Sequence, residues 1–132
     1  MTAEELIENF SYLENWEDKY RYIIELGEQL PPFIEEDKIP QNKVDGCMSS
    51  VWFSHYTENN KHFFNATSDA VIVRGLEAIL LTLINGKTAS EIQNLNLLEI
   101  FKKLGLEDHL SPTRRNGFYA MVERILSLTN NG

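Results

Sequence analysis

"SVWFSHYTENNKHFFNAT", Ser50–Thr67, is the stretch whose reading decides the fold. Two runs rich in aromatic and β-branched residues flank the polar turn Glu58–Lys61, a pattern that predicts an antiparallel hairpin of two short strands. The residues around it have a helical period instead. After the hairpin, Ser68 is expected to cap a helix in which Ile72, Leu76, Ile79, Leu80 and Leu83 form a broad apolar stripe ending at Gly86. Such a stripe can cover one face of the hairpin.

Working outward toward the N-terminus, Thr2 followed by Glu5 is a capping-box signature, and Ala3, Leu6, Phe10 and Leu13 share one helical stripe. Asn15 caps a second helix, with Trp16, Tyr20, Ile23, Gly27 and Leu30 at three- and four-residue steps, before Pro31-Pro32 stops it. Gly27 within that stripe implies close packing. From Phe33 to Asp45, "FIEEDKIPQNKVD" loses its period and reads as a long connection. Toward the C-terminus, Thr88 with Glu91 and Asn96 with Glu99 open two short helices, the second closing at Gly105. Ser111-Pro112 opens a last helix whose inner stripe is Phe118, Met121, Val122 and Ile125, and the tail "LTNNG" is expected to fray. Helices on both sides of a strand pair, without alternating βαβ units, predict an α+β fold: a small antiparallel sheet packed against several helices.

The 132 residues, 42% hydrophobic and 24% charged, fit one soluble domain spanning residues 1–132. A net charge of −8, with the basic residues scattered, disfavours nucleic acid as a partner. No apolar run is long enough to span a membrane, and "MTAEELIENF" lacks the features of a signal peptide, so a cytoplasmic protein without a membrane partner is expected.

The chain has one cysteine, Cys47, in "DGCMSSVWF" (Asp45–Phe53). It has no internal disulfide partner, and one soft ligand does not make a zinc or iron–sulfur site, so its chemistry is thiol chemistry. A lone cysteine is often a small apolar filler. Here, however, it lies at a loop-to-strand junction beside Gly46, which has no side chain to obstruct an approaching molecule. The reactive form is the thiolate, which positive charge favours, and Arg114 and Arg115 in the first turn of the last helix are candidate sources. His55 and His62 flank the hairpin turn and can be cross-strand neighbours. With no third ligand at a recognisable spacing they read as half-buried sheet residues, and no metal site is expected. His109 belongs to no metal or catalytic signature, "EEDK" at 35–38 reads as a solvated acidic run, and there is no glycine-rich phosphate loop.

Four segments in order, "NWEDKYRYIIELGEQLP", "PQNKVDGCMSSVWF", "SDAVIVRGLEAILL" and "HLSPTRRNGF", resemble the SufE family of sulfur-acceptor proteins, and the resemblance covers nearly all of the chain. It implies that Cys47 takes sulfur from the persulfide of a pyridoxal-phosphate cysteine desulfurase, stimulates that enzyme, and passes the sulfur on to a downstream acceptor or cluster scaffold for iron–sulfur assembly. The chain would then be a carrier and activator with no cofactor of its own, the pyridoxal phosphate belonging to the partner, and a monomer or weak homodimer. The resemblance also implies a fold like that of the IscU-type iron–sulfur scaffolds and a cysteine sheltered at a loop tip. Besides Cys47 and Gly46, it marks Asp69 as near that loop and Arg114 as associated with the loop and the partner interface. "KHFFNATSDAVIVRGL" and "GKTASEIQ" look closer to a CsdE-like branch of the family. Met48 stands where many relatives have Gln or Glu, and Arg115 replaces a commonly small polar residue. A cysteine-dependent redox or peroxide-reducing protein is the alternative, and a cluster scaffold is disfavoured by the single cysteine.

Overall fold

A computed structural model describes residues 1–130. At its centre is the expected hairpin, β1 (Val51–Glu58) and β2 (Lys61–Ser68), paired antiparallel from Val51 opposite Ser68 to Glu58 opposite Lys61. Asn59 and Asn60 have φ of 52° and 66°, and two consecutive left-handed residues make the tight turn whose twist suits a hairpin. Side chains alternate between the two faces, and Val51, Phe53, Phe64 and Ala66 are buried on the inner one. A third strand absent from the sequence reading, β3 (Lys87–Thr88), pairs antiparallel with Lys61 and His62. Two residues carry too little pattern to announce a strand.

Six helices surround this sheet: α1 (Ala3–Ser11), α2 (Trp16–Glu28), α3 (Val71–Ile84), α4 (Ala89–Asn94), α5 (Leu97–Lys103) and α6 (Pro112–Thr129). Their starts follow the capping chemistry. Thr2, Asn15, Thr88, Asn96 and Ser111 each accept a backbone N–H three residues on, and Thr88 with Glu91 closes a reciprocal capping box. Ser68 is the exception. It ends β2, and its hydroxyl accepts the Ala70 N–H at 3.2 Å, so α3 begins after Ala70 with no side-chain cap. Tertiary packing holds that end of the helix.

The helix α3 is the hub, packed by α2 on one side and by β2 on another. Gly27 permits the first contact, because a Cβ there would stand 2.6 Å from the Gly75 nitrogen; one at Gly75 would collide with the Ile23 carbonyl. The two backbones approach through glycine on both sides. The buried core is continuous from Leu6 to Ile125 and includes the whole expected α6 stripe. The connection Phe33–Asp45 contains single 3-10 turns at Glu35–Asp37 and Pro40–Asn42, and Arg124 on α6 donates to the carbonyls of Gln41 (3.3 Å) and Lys43 (2.6 Å). It is therefore a strapped segment.

The tail departs from expectation. Leu128 and Thr129 belong to α6, and the fully buried Thr129 hydroxyl donates to Ile125 O (2.9 Å) and accepts from Gln93 Nε2 (3.0 Å). Burial of a hydroxyl with both roles satisfied anchors the helix end. Asn131 and Gly132, the last of the residues expected to fray, lie outside the described residues.

Candidate functional site

Cys47 lies on a loop whose base is fixed and whose tip is lightly held. At the base, Val44 N–H donates to Val51 O at 2.9 Å, and Lys43 bridges to Trp52, with its ammonium 5.7 Å from the indole centroid. The other side of the base is held by Asp69. Its carboxylate accepts the Ser50 N–H at 3.1 Å, and its own N–H donates to Ser50 O at 3.3 Å. Asp69, singled out in the sequence, thus ties the loop to the residues preceding α3.

At the tip, Gly46 has φ of 89°, a left-handed conformation that costs glycine little, and a Cβ there would meet that of Ala120 at 3.3 Å. This turn aims the next side chain inward. Cys47 is half-buried, and its thiol donates a long bond to the Gly117 carbonyl on α6, with Sγ to O at 3.6 Å. Gly117 faces it closely, a Cβ there falling 3.6 Å from Sγ. Met48, the next residue, points outward and is 87% exposed, so the loop tip buries its sulfur and presents a thioether to solvent.

Beside the thiol is a small cavity of about 30 Å³, lined mainly by Val51, Val73, Leu76, Gly117, Phe118 and Met121, with Met48 and the polar Ser49, Thr113 and Arg114 completing the lining. Its walls come from the sheet, α3 and α6, so only the assembled fold makes it. Arg114 is therefore brought to the cysteine, whereas Arg115 is not: its guanidinium donates to Glu107 O at 3.4 Å. Successive helical residues lie about 100° apart, which sends neighbouring side chains in different directions.

The electrostatics differ from the sequence expectation. Burial first, then the carboxylates of Glu77 and Asp45, push the Cys47 thiol up from its ordinary value. In the closed loop the sulfur is thus a protonated thiol at neutral pH. Glu77 is the residue that the sequence reading missed. It is fully buried in α3, and burial raises its carboxyl to about 9, with Arg74 opposing the shift. The signal was partial: "VIVRGLEAILLTLI" is apolar nearly all round, which makes burial of a charge within it expected, yet of its two charged residues Glu77 is buried while Arg74 reaches solvent.

The histidines form a separate feature. His55 Nε2 and His62 Nδ1 are 2.7 Å apart with their rings stacked, at the end of the sheet beside β3, while His109 stacks on Trp16 at 4.8 Å. Among the described residues no three His, Cys, Asp or Glu side chains are grouped to hold a metal ion. Nor, among them, is any helix long and apolar enough to cross a membrane.

Comparison with known proteins agrees with this architecture. Residues 4–129 match the model of the SufE family, described as an Fe-S metabolism associated domain. An uncharacterized SufE-like protein of Rhizobium etli is 50% identical over 128 residues, covering 94% of this chain and 86% of that protein. A second, from Rhizobium meliloti, is 48% identical over 130 residues, with 96% and 93% covered. The sulfur acceptor protein CsdE of Escherichia coli is 44% identical over 130 residues, with 98% and 88% covered. The solution structure of a hypothetical protein from Thermus thermophilus superposes with a TM-score of 0.80 over 99% of this chain and 97% of that one, at 18% identity, and so shares the α+β fold. With the family model matching residues 4–129, from the first turn of α1 to the end of α6, the chain belongs to the SufE family.

Proposed function

We propose that this protein accepts sulfur on Cys47 from the persulfide of a cysteine desulfurase, stimulates that enzyme, and hands the sulfur on for iron–sulfur cluster assembly. The observation that carries the reading is the apolar cavity beside a lone thiol at the tip of a loop fixed only at its base. The similarity to the sulfur acceptor CsdE supports the same reading.

The Cys47 thiolate attacks the outer sulfur of the donor persulfide; a new S–S bond forms at Sγ, the donor S–S bond breaks, and the donor thiolate leaves with its electron pair. The outer sulfur keeps its hydrogen, so Cys47 becomes a persulfide without any external oxidant or reductant. A second acceptor thiolate takes the cargo by the same exchange. Pyridoxal phosphate remains with the desulfurase throughout.

Each structural element has a task in this sequence. The closed loop keeps the thiol protonated and slow toward adventitious oxidants, since the thiolate is the reactive form. Outward movement of Asp45–Ser49 about the base held by Val44, Val51 and Asp69 relieves the burial that raises the thiol and brings it to the donor. Met48, already facing solvent, is the first apolar contact for the desulfurase. After transfer the loop closes, and the cavity takes the added sulfur. Its 30 Å³ exceeds the roughly 10–15 Å³ that admits a water, and its apolar walls shelter the cargo from hydrolysis and reduction. The peroxide-reducing alternative fits less well, because such cysteines are accessible and have lowered pKa values.

The test is loading. Purified protein incubated with a cysteine desulfurase, pyridoxal phosphate and cysteine should gain the mass of one sulfur atom, and the desulfurase should turn over faster in its presence. Cys47→Ser should show neither effect while melting like the parent. A serine variant that still gains sulfur or still stimulates would overturn the assignment.

A further inference from the structure

The helix α3 is buried along almost its whole length, and Glu77 is its one buried charge-bearing side chain. Both carboxyl oxygens are inaccessible and accept no hydrogen bond from any of the described residues. Burying an ionised carboxylate without partners is very costly, so the neutral acid is the form that this packing tolerates.

Its position links it to the cysteine. Gly75 packs on Ile23 of α2, and two residues farther along a helix is about 200° around, so Glu77 faces away from α2. Val73, one turn before Glu77 on the same face, and the adjoining Leu76 both line the Cys47 cavity. The charged and titratable groups on this side are Cys47 and Asp45 in the loop, Arg114 on α6, and His55 and His62 at the sheet end near the C-terminus of α3, while Arg74 of the same helix lies against α2 and acts on Glu77 from there. None of them bonds to the carboxyl. It therefore acts on the thiol through its charge alone.

The geometry points to Glu77 as a positioning residue of the sulfur site: a buried carboxyl without hydrogen-bond partners behind the cavity wall, whose negative charge, when present, opposes the Cys47 thiolate and so limits the conditions in which this cysteine reacts. At neutral pH the uncharged acid adds nothing to the burial and the Asp45 carboxylate that already oppose the Cys47 thiolate. Once burial no longer holds its proton, at about pH 9, its negative charge pushes the thiol further up just where the thiolate would otherwise accumulate. This inference rests on the reading of Cys47 as the sulfur acceptor for its biological meaning, but its physical content can be measured without a desulfurase.

The experiment is the rate of iodoacetamide alkylation of Cys47 across alkaline pH in the parent, Glu77→Gln and Glu77→Leu. At pH 7 all three should react within about twofold of one another. Near pH 9.5 both variants should react at least about threefold faster, the effect of half a pKa unit. Superimposed profiles would overturn the inference. Glu77→Leu guards against misfolding of the buried amide, and carbon NMR of labelled glutamate in the parent gives a second reading: one carboxyl should titrate near pH 9 and vanish in either variant, whereas Glu77 titrating in the ordinary range overturns the claim. A protein that loads sulfur but shows superimposed profiles loses this inference alone; one that shows the coupling but never loads loses the sulfur-acceptor reading.

Discussion

The two ends of α3 meet the same sheet in opposite ways. At its C-terminal end, Asn85 brackets Phe64, accepting its N–H at 2.7 Å and donating to its carbonyl at 3.1 Å. There Gly86, at φ of 79°, donates to His62 O at 2.9 Å, and the His55–His62 contact closes the sheet face beneath. At its N-terminal end, the backbone is satisfied only at the base of the cysteine loop, the tip is held by one long sulfur bond, and a cavity remains inside. One end is zipped, the other has play. The proposed delivery of sulfur by a loop tip needs a rigid frame behind it, and the lightly held tip beside the firmly bonded end fits that requirement.

The largest expected effect tests the helix that joins the two ends. The Glu77 carboxyl lies at about 9 folded against an ordinary value of 4.5, so between those values the folded state holds a proton that the unfolded chain releases. Its contribution to stability is complete below about pH 4.5 and is lost as pH rises toward 9. Urea unfolding should show Glu77→Leu more stable than the parent by about 3 kcal/mol at pH 7, with the gap widening to pH 9. A gap that does not widen with pH would mean that Glu77 ionises in the folded state.

The next effect would break the rigid end. Asn85→Ala strips two bonds from the Phe64 backbone and should cost about 2–3 kcal/mol in the same unfolding experiment. Alkylation of Cys47 should be unchanged; a large acceleration would mean that the two ends are coupled and that the contrast drawn between them fails.

Asp69→Ala attacks the loose end at its base. Losing the Ser50 bond should cost only about 1 kcal/mol while raising the alkylation rate of Cys47 several-fold, because the loop opens more often. Unchanged alkylation would leave Asp69 a purely structural anchor. The smallest energetic change comes from Gly117→Ala. Alanine in a helix interior is favoured by up to about 1 kcal/mol, and the new methyl reaches only van der Waals distance of Sγ, so melting should be equal or slightly higher. Yet that methyl takes space from the cavity, and the Cys47 persulfide should be lost faster to an added thiol, as followed by intact mass.

The sequence made the elements legible wherever local chemistry decides. Asn15, Thr88 and Ser111 cap helices as read, the Glu58–Lys61 turn forms, and the α6 stripe is buried. It was misleading at Ser68, where a capping residue ended a strand, and at Thr129, where a residue of the expected fraying tail proved helical and buried. In both places tertiary contacts outweighed a local preference. The candidate site was half legible: Cys47 and Gly46 stand out in a turn, but the separation of Arg114 from Arg115 and the burial of Glu77 depend on which way each helix is rotated.

By itself the sequence determined that a hairpin and flanking helices would form, and that one thiol would sit where the chain turns, because caps, turns and apolar periods act over a few residues. Tertiary structure alone decided that this thiol would be turned inward against Gly117, beside a cavity walled by three separate elements and within the field of a buried acid. Burial and electric fields are set by everything that surrounds a group, and those surroundings are assembled from residues as distant in the chain as Cys47 and Gly117, 70 positions apart.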